Sequence, residues 1–543
     1  MAIQKHSVAV AIIALILAGC DSGSSSSERE AALDVRAIDG AGNNPNDPTM
    51  GEAGHPLLRE ADAAFADGFS APAGPERPNP RAVSSGVCRQ DVSRPNRRGA
   101  SDFLWQWGQF LDHDLSRSPE ASPKEPLGIP VPPGDPQFDP GVTGAVVIDF
   151  NRSSFDPLSG INGPREQMNT LTAYIDASNV YGSDPVRADA LRTHDGTGRL
   201  RISPQGFLPF NDAGFDNAPS PNDSSLFLAG DVRANEQLGL TAMHTLFVRE
   251  HNLVADRIHQ RDPALSDERI YQRARAIVGA EVQAITYNEF LPILLGPGVL
   301  APYAGYDADV NARMMNEFTS VAFRVGHSMV SPVLRRLESE GASVAAGDLP
   351  LRDAYFQPQR LLTDGGIDPI LRGLASQTAQ EIDPFIVDDL RNFLFGSPGS
   401  GGLDLAALNI QRGRDHGMPS YNGMRLAFGL PAKTRFDEIS SDPEIVQRLQ
   451  QTYGSVDLID PWIGGLSEDH VPGALVGELF IRIIADQFER LRDGDRYWYQ
   501  NPDIQMLTPE DRSRVESTTL ARVIRDNTAI GNEISDAVFL VAR

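Results

Sequence analysis

The chain has 543 residues, of which 41% are hydrophobic and 22% charged, an ordinary globular balance. Its 73 acidic and 48 basic residues leave a formal charge of −25, which argues against nucleic acid as the main partner, because phosphate backbones are gripped by clustered Lys and Arg. The two cysteines, Cys20 and Cys88, give no disulfide framework, so packing and any bound metal must hold the fold.

At the N-terminus, Lys5 and His6 precede an apolar run from Val8 to Leu17, too short to span a bilayer. The run ends Leu17-Ala18-Gly19-Cys20, which resembles a bacterial lipobox. Residues 1–19 are therefore expected to be a lipoprotein signal peptide. Lipid on Cys20 would then anchor an exported protein to the cell envelope, in the periplasm or on the outer surface. Residues 20–54 are rich in Ser, Gly, Asn and Asp and read as a flexible tether. Residues 55–543 read as one catalytic domain, with no second composition shift.

Along that domain, helical periodicity predicts helices over Ser101–Leu115, Gln237–Arg261, Asp267–Phe290, Arg313–Met329 and Leu475–Arg490. Prolines between Pro119 and Pro140, and Pro, Asn and Asp between Phe207 and Ser225, predict irregular loops. No alternating strand pattern of any length occurs. The expected fold class is mainly α, with long irregular loops and little β.

Four segments carry residues suited to chemistry. In Trp107-Gly108-Gln109-Phe110-Leu111-Asp112-His113-Asp114, Gln109 and His113 share a helix face. Asp112 and Asp114 lie about 200° apart around the axis, so they cannot serve the same small site. In Leu171–Ser183, the oxygen side chains of Thr172, Asp176 and Ser178, with the Tyr174 carbonyl, could wrap a hard cation. Read alone, they fit an Asp/Ser turn better than a cation loop. In Gly230-Asp231-Val232-Arg233-Ala234-Asn235-Glu236-Gln237, Arg233 and Glu236 could face one pocket or form a surface ion pair. In Phe323-Arg324-Val325-Gly326-His327-Ser328, a lone histidine on an apolar helix, read alone, fits a satisfied core residue better than a metal ligand. His244 and His251 stand two turns apart, roughly 10.5 Å, too far for one ion. They are assigned to structural hydrogen bonding.

In this order the segments resemble those of the animal-type haem peroxidases of the peroxidase–cyclooxygenase superfamily, across roughly Arg81–Ile530, with Leu408–Gly417 as a further match. The resemblance implies haem b as cofactor. It implies His113 as the distal acid–base residue, Arg233 as the distal arginine, and Gln109 as the group positioning water or a small anion. By the same resemblance Asp112 and Glu236 form esters to the haem. Asp114, Thr172, Tyr174 (carbonyl), Asp176 and Ser178 hold Ca2+. His327 becomes the axial iron ligand, with Asn409 as its hydrogen-bond acceptor. Arg412 pairs with a haem propionate and Arg324 lies near the haem. Gln237 stands where a methionine would permit a sulfonium link, so that link cannot form.

The implied function is a peroxidase that uses hydrogen peroxide to oxidise a small electron donor (halide, thiocyanate or phenol) through an oxoferryl intermediate. A fatty-acid dioxygenase of the same superfamily is one alternative. Such enzymes resemble one another in placing a radical-forming tyrosine three residues before the proximal histidine, where this chain has Arg324. A peroxinectin-like adhesion protein is the other. The chain has no Arg-Gly-Asp sequence, and every catalytic position of the pattern is filled.

Overall fold

A computed structural model of the chain describes residues 34–542. The lipobox and Cys20 lie outside the described residues. The expected tether needs correction where it enters them. From Arg36 onward the chain is packed: Arg36 Nη2 donates to Asp495 Oδ2 at 2.8 Å, and Asn43 and Asn44 are buried. The composition is polar because these side chains meet buried partners: Asn43 Nδ2 donates to Asp495 Oδ1 at 2.8 Å and Asn44 Nδ2 to the Ala308 carbonyl at 2.8 Å. The domain therefore starts near residue 35 rather than 55.

The framework is helical. Helix α1 spans Phe103–Leu115, α2 Leu238–Arg261, α3 Asp267–Ile285, α4 Asn316–Ser320, α5 Gly326–Met329, α6 Leu405–Asp415 and α7 Glu478–Asp493. Three antiparallel pairs of two-residue strands join loops: His55–Pro56 with Met168–Asn169, Ile129–Pro130 with Val147–Ile148, and Val333–Leu334 with Leu349–Pro350. Among the described residues no helix is long and apolar enough to cross a membrane.

Local chemistry explains the helix ends that matter. The Gln237 side chain caps α2 by accepting the Gly239 N–H at 2.6 Å. Ser266 caps α3. The expected helix to Phe290 continues past Ile285 only as a π turn, Thr286–Phe290. The Thr286 hydroxyl oxygen in that turn accepts the Trp107 indole N–H at 3.2 Å.

The single helix expected over Arg313–Met329 is also corrected. It breaks at Val321 (φ −128°, ψ −75°), and Ala322–Val325 is a tighter 3-10 turn. Ser320 Oγ donates back to the Asn316 carbonyl at 2.6 Å, and Thr319 Oγ1 to the same oxygen at 3.3 Å. Such back-bonding competes with the helix ladder and bends it. The freed Thr319 carbonyl accepts from Arg324 Nε at 3.0 Å. The break thus aims Arg324 and His327.

Helix α2 packs along α3, and α1 rests against both α2 and α5. Phe103, Leu104, Trp107, Phe110 and Leu111 on α1 are all buried. Trp107 meets Phe247 of α2 at 5.8 Å between ring centroids and Phe539 at 6.1 Å. This apolar wall holds the polar edge of α1 in one place, which sets the position of His113.

Candidate active site

Helix α1 sends its two aspartates to different places, as its geometry requires. Asp112 lies 3.7 Å from Arg233 Nη1 and accepts from Ser116 Oγ at 3.0 Å. Asp114 points to the loop at 172–178, where its Oδ2 accepts the N–H groups of Asp176 (3.2 Å) and Ala177 (3.1 Å), and its Oδ1 that of Ser178.

Around His113, Arg233 is fixed by Asp231. Asp231 Oδ1 accepts from Arg233 Nε and Oδ2 from Nη2, both at 2.9 Å, and Arg233 Nη2 also donates to the Ser116 carbonyl at 3.1 Å. His113 Nδ1 lies 3.6 Å from Asp231 Oδ1. Burial, then the Arg233 charge, holds the His113 imidazole well below its ordinary pKa, so the ring is neutral. Gln109 Nε2 donates to Glu236 Oε2 at 3.1 Å, and Gln109 Oε1 accepts from Gln237 Nε2 at 3.0 Å. The four residues expected on this side therefore meet, together with Asp112.

On the other side, His327 Nδ1 is 2.7 Å from Asn409 Nδ2, and Asn409 Oδ1 accepts from Arg324 Nη1 at 2.7 Å. The expected His327–Asn409 pair is present with the amide reversed: Asn409 offers its nitrogen to the ring. Arg324 has only donors, and it claims the amide oxygen. Arg412 donates to Ser153 Oγ (2.7 Å) and Asp415 Oδ2 (3.2 Å), and lies over the Phe150 ring at 4.2 Å.

The expected haem-contacting groups share one property. Asp112, Glu236, Arg324 and His327 are each partly open to solvent. Yet burial raises the Asp112 carboxyl, lifts Glu236 to about 7, and drops Arg324 to about 10 and His327 to about 3. These groups are partly accessible yet strongly desolvated, as side chains recessed below a surface are. The two sides feel each other, since the charges of Asp112 and Arg233 act on Arg324. A neutral histidine with acids and arginines near it fits a haem, but as an iron ligand His327 needs its proton on Nδ1, so the Asn409 amide must turn its oxygen to the ring.

The cation loop is drawn around Asp114. Ser178 Oγ donates to the Asp114 carbonyl at 2.8 Å, and Thr172 Oγ1 to Asp176 Oδ1 at 3.1 Å. Ala177 adopts the left-handed conformation (φ 60°, ψ 33°), an unusual backbone for a residue with a Cβ. Asp176 Oδ2 is buried without a hydrogen-bond partner, 3.9 Å from Arg275. Burial and then the Asp176 charge push Asp114 up to about 8. Two carboxylates and two hydroxyls thus converge on one dry pocket and fit a hard cation. Among the described residues no group of three or more His, Cys, Asp or Glu is gathered for a metal, so the hydroxyls and carbonyls must complete any shell. The Tyr174 phenol points away, donating to the Met50 carbonyl at 2.7 Å. Gly230 ties this loop to Arg233's segment: a Cβ there would lie 2.4 Å from the Ser178 carbonyl oxygen.

Of the two histidines assigned to structural bonding, His251 fits: Tyr181 Oη is 2.9 Å from Nδ1 and the Gly198 carbonyl 2.9 Å from Nε2. His244 does not. Both its nitrogens are buried without a hydrogen-bond partner, and burial drops its pKa to about 4. Sequence reasoning also passed over Asp231 and Ser116. The signal for Asp231 was an acid two residues before Arg233 in an otherwise apolar turn.

Residues 35–539 match the family described as "Animal haem peroxidase". The chain belongs to the animal haem peroxidase family. It is 37% identical over 522 residues to Peroxinectin A of Dictyostelium discoideum, covering 93% of this chain and 96% of that protein. It is 38% identical over 557 residues to the human peroxidasin homolog, covering 93% of this chain but 37% of that longer protein. Among solved structures it resembles Peroxidase A from Dictyostelium discoideum, with a TM-score of 0.86 and 35% identity over 94% of this chain and 100% of that one. The Oryza sativa fatty acid alpha-dioxygenase shares the fold, with a TM-score of 0.79 but 22% identity over 93% of this chain and 87% of that one. The peroxidase reading therefore stands over the dioxygenase one: this haem peroxidase is an oxidoreductase acting with hydrogen peroxide.

Proposed function

We propose that this haem peroxidase cleaves hydrogen peroxide with His113 and Arg233 and passes the oxidising equivalents to halide, thiocyanate or a phenol. The observation that carries this is the distal group itself: a neutral His113 beside an Arg233 locked by Asp231. Haem b, which His327 would hold through its iron, would supply the redox chemistry. His113 Nε2 takes the proton from one peroxide oxygen and returns it to the departing one. Arg233 offsets the negative charge that develops as the O–O bond breaks. Gln109, held between Glu236 and Gln237, orients the incoming molecule.

Asp112 and Glu236 are the carboxyls for ester links to the haem, and burial that favours their uncharged form supports that role. Arg412 would pair with a haem propionate, and Arg324 would lie near the haem. Asp114, Thr172, Asp176, Ser178 and the Tyr174 carbonyl hold calcium, which pins α1 to the loop below it. The N-terminal sequence supports export and anchoring by lipid on Cys20.

The test is expression with haem, followed by turnover with bromide, iodide, thiocyanate and a phenol. His113→Ala is expected to keep the Soret band and to lose nearly all peroxide-driven oxidation. Undiminished oxidation in that variant would overturn the assignment.

A further inference from the structure

Asp231 has no part in the reaction described above, yet its carboxylate lies beside His113 at 1% exposure. It grips Arg233 with a two-bond fork, each bond 2.9 Å, and its Oδ1 also accepts the Arg233 backbone N–H at 2.8 Å. Its own N–H donates to the Asn179 carbonyl at 3.0 Å, next to the cation loop. Burial alone would raise its pKa, but Arg233 and then His113 outweigh it, and the group is held ionised, well below the usual carboxylate range. The same carboxylate faces His113 Nδ1 at 3.6 Å, and that nitrogen is buried with no hydrogen-bond partner.

Resting on the assignment of His113 and Arg233 as the distal pair, we propose that Asp231 is a positioning residue that orients both at once. Its fork fixes the plane and reach of the Arg233 guanidinium, as two parallel bonds do and one cannot. Its negative charge beside Nδ1 favours the tautomer with the ring proton on Nδ1. That leaves His113 Nε2 as the free base. The arrangement follows the logic by which a buried carboxylate sets the tautomer of a catalytic histidine in acyl transfer. The difference is that here a single carboxylate serves two catalytic groups. Arg233 neutralises it, which is how an ionised group tolerates so enclosed a place.

The experiment has a reading that needs no variant. Side-chain nitrogen NMR of the holoenzyme and of the haem-free protein should show His113 protonated on Nδ1. A proton on Nε2 in both overturns the proposal. Asp231→Asn keeps the volume but turns an N–H toward either Arg233 or His113. It should shift His113 toward the Nε2–H tautomer and slow the peroxide-driven Soret change about 100-fold, the scale of misplaced catalytic groups. Haem content and the KM for the electron donor should hold. In an His113→Ala, Arg233→Ala background, Asp231→Asn should add no further loss, because its effect runs through those two residues. A merely structural role would subtract its own share in every background. Unchanged rate and tautomer in Asp231→Asn, with His113→Ala inactive, sink the positioning role alone. Full activity in His113→Ala sinks the distal pair itself.

Discussion

Arg324 Nη1 donates to Asn409 Oδ1 at 2.7 Å, and this bond turns the Asn409 nitrogen toward His327 Nδ1, also at 2.7 Å. One arginine thereby sets the polarity of the contact behind the expected iron ligand. Removing the amide in Asn409→Leu should cost about 10–100-fold in haem affinity, as loss of a partner to a ligating histidine does. Asn409→Asp offers an oxygen to both neighbours and should retain affinity. Haem titration of the apo-protein separates the two; equal affinity in all three proteins would show that Asn409 does not orient the ring.

Calcium binding should appear as stability. At about 100 times the dissociation constant, a ligand that binds only the folded state adds roughly 2.7 kcal/mol. Calorimetry with calcium, and then with a chelator, should show that difference in the natural chain. Asp114→Asn should abolish it, since both Asp114 oxygens organise the loop. A Tm indifferent to the chelator would remove calcium from the account.

Asp102 links stability to pH. It is buried before α1, accepts from Ser331 Oγ at 2.7 Å, and burial raises its pKa to about 7. The folded chain therefore holds a proton that the unfolded chain releases near pH 4. The stabilisation is complete below that pH and is lost as pH rises to about 7, by up to about 4 kcal/mol at full weight. Asp102→Asn keeps the acceptor and removes the titration. Its melting temperature should gain on the natural chain between pH 5 and pH 8; parallel curves for the two proteins would contradict this.

Gln237 is expected to matter to the frame as well as to the site. It caps α2 and donates to Gln106 (2.7 Å) and Gln109 (3.0 Å). Gln237→Met should cost about 1 kcal/mol through the lost cap and free Gln109 to turn. Denaturant melts give the first effect, and a changed affinity for a small anion such as cyanide the second.

Much of the site was legible because short segments carry it. The i, i+4 relation of Gln109 and His113, and the opposed directions of Asp112 and Asp114, follow from helix geometry alone, and the fold places all four accordingly. The break at Val321 was not legible, because the apolar spacing of Arg313–Met329 suits a continuous helix. Only the competition of Ser320, Thr319 and Arg324 for backbone carbonyls decides against it. The packed stretch after Arg36 read as a tether for a similar reason: its polar side chains find partners near Asp495, some 450 residues away in sequence.

By itself, the amino-acid sequence determined the helical class, since periodicity is a property of neighbouring residues, while the family and the candidate site residues came from the resemblance of its short segments. The tertiary structure alone decided which of them touch. Asp231 between Arg233 and His113, Arg324 on Asn409, and the unpartnered His244 depend on where distant helices stop and how they pack. Those distances are set by burial and by the satisfaction of polar groups across the whole core.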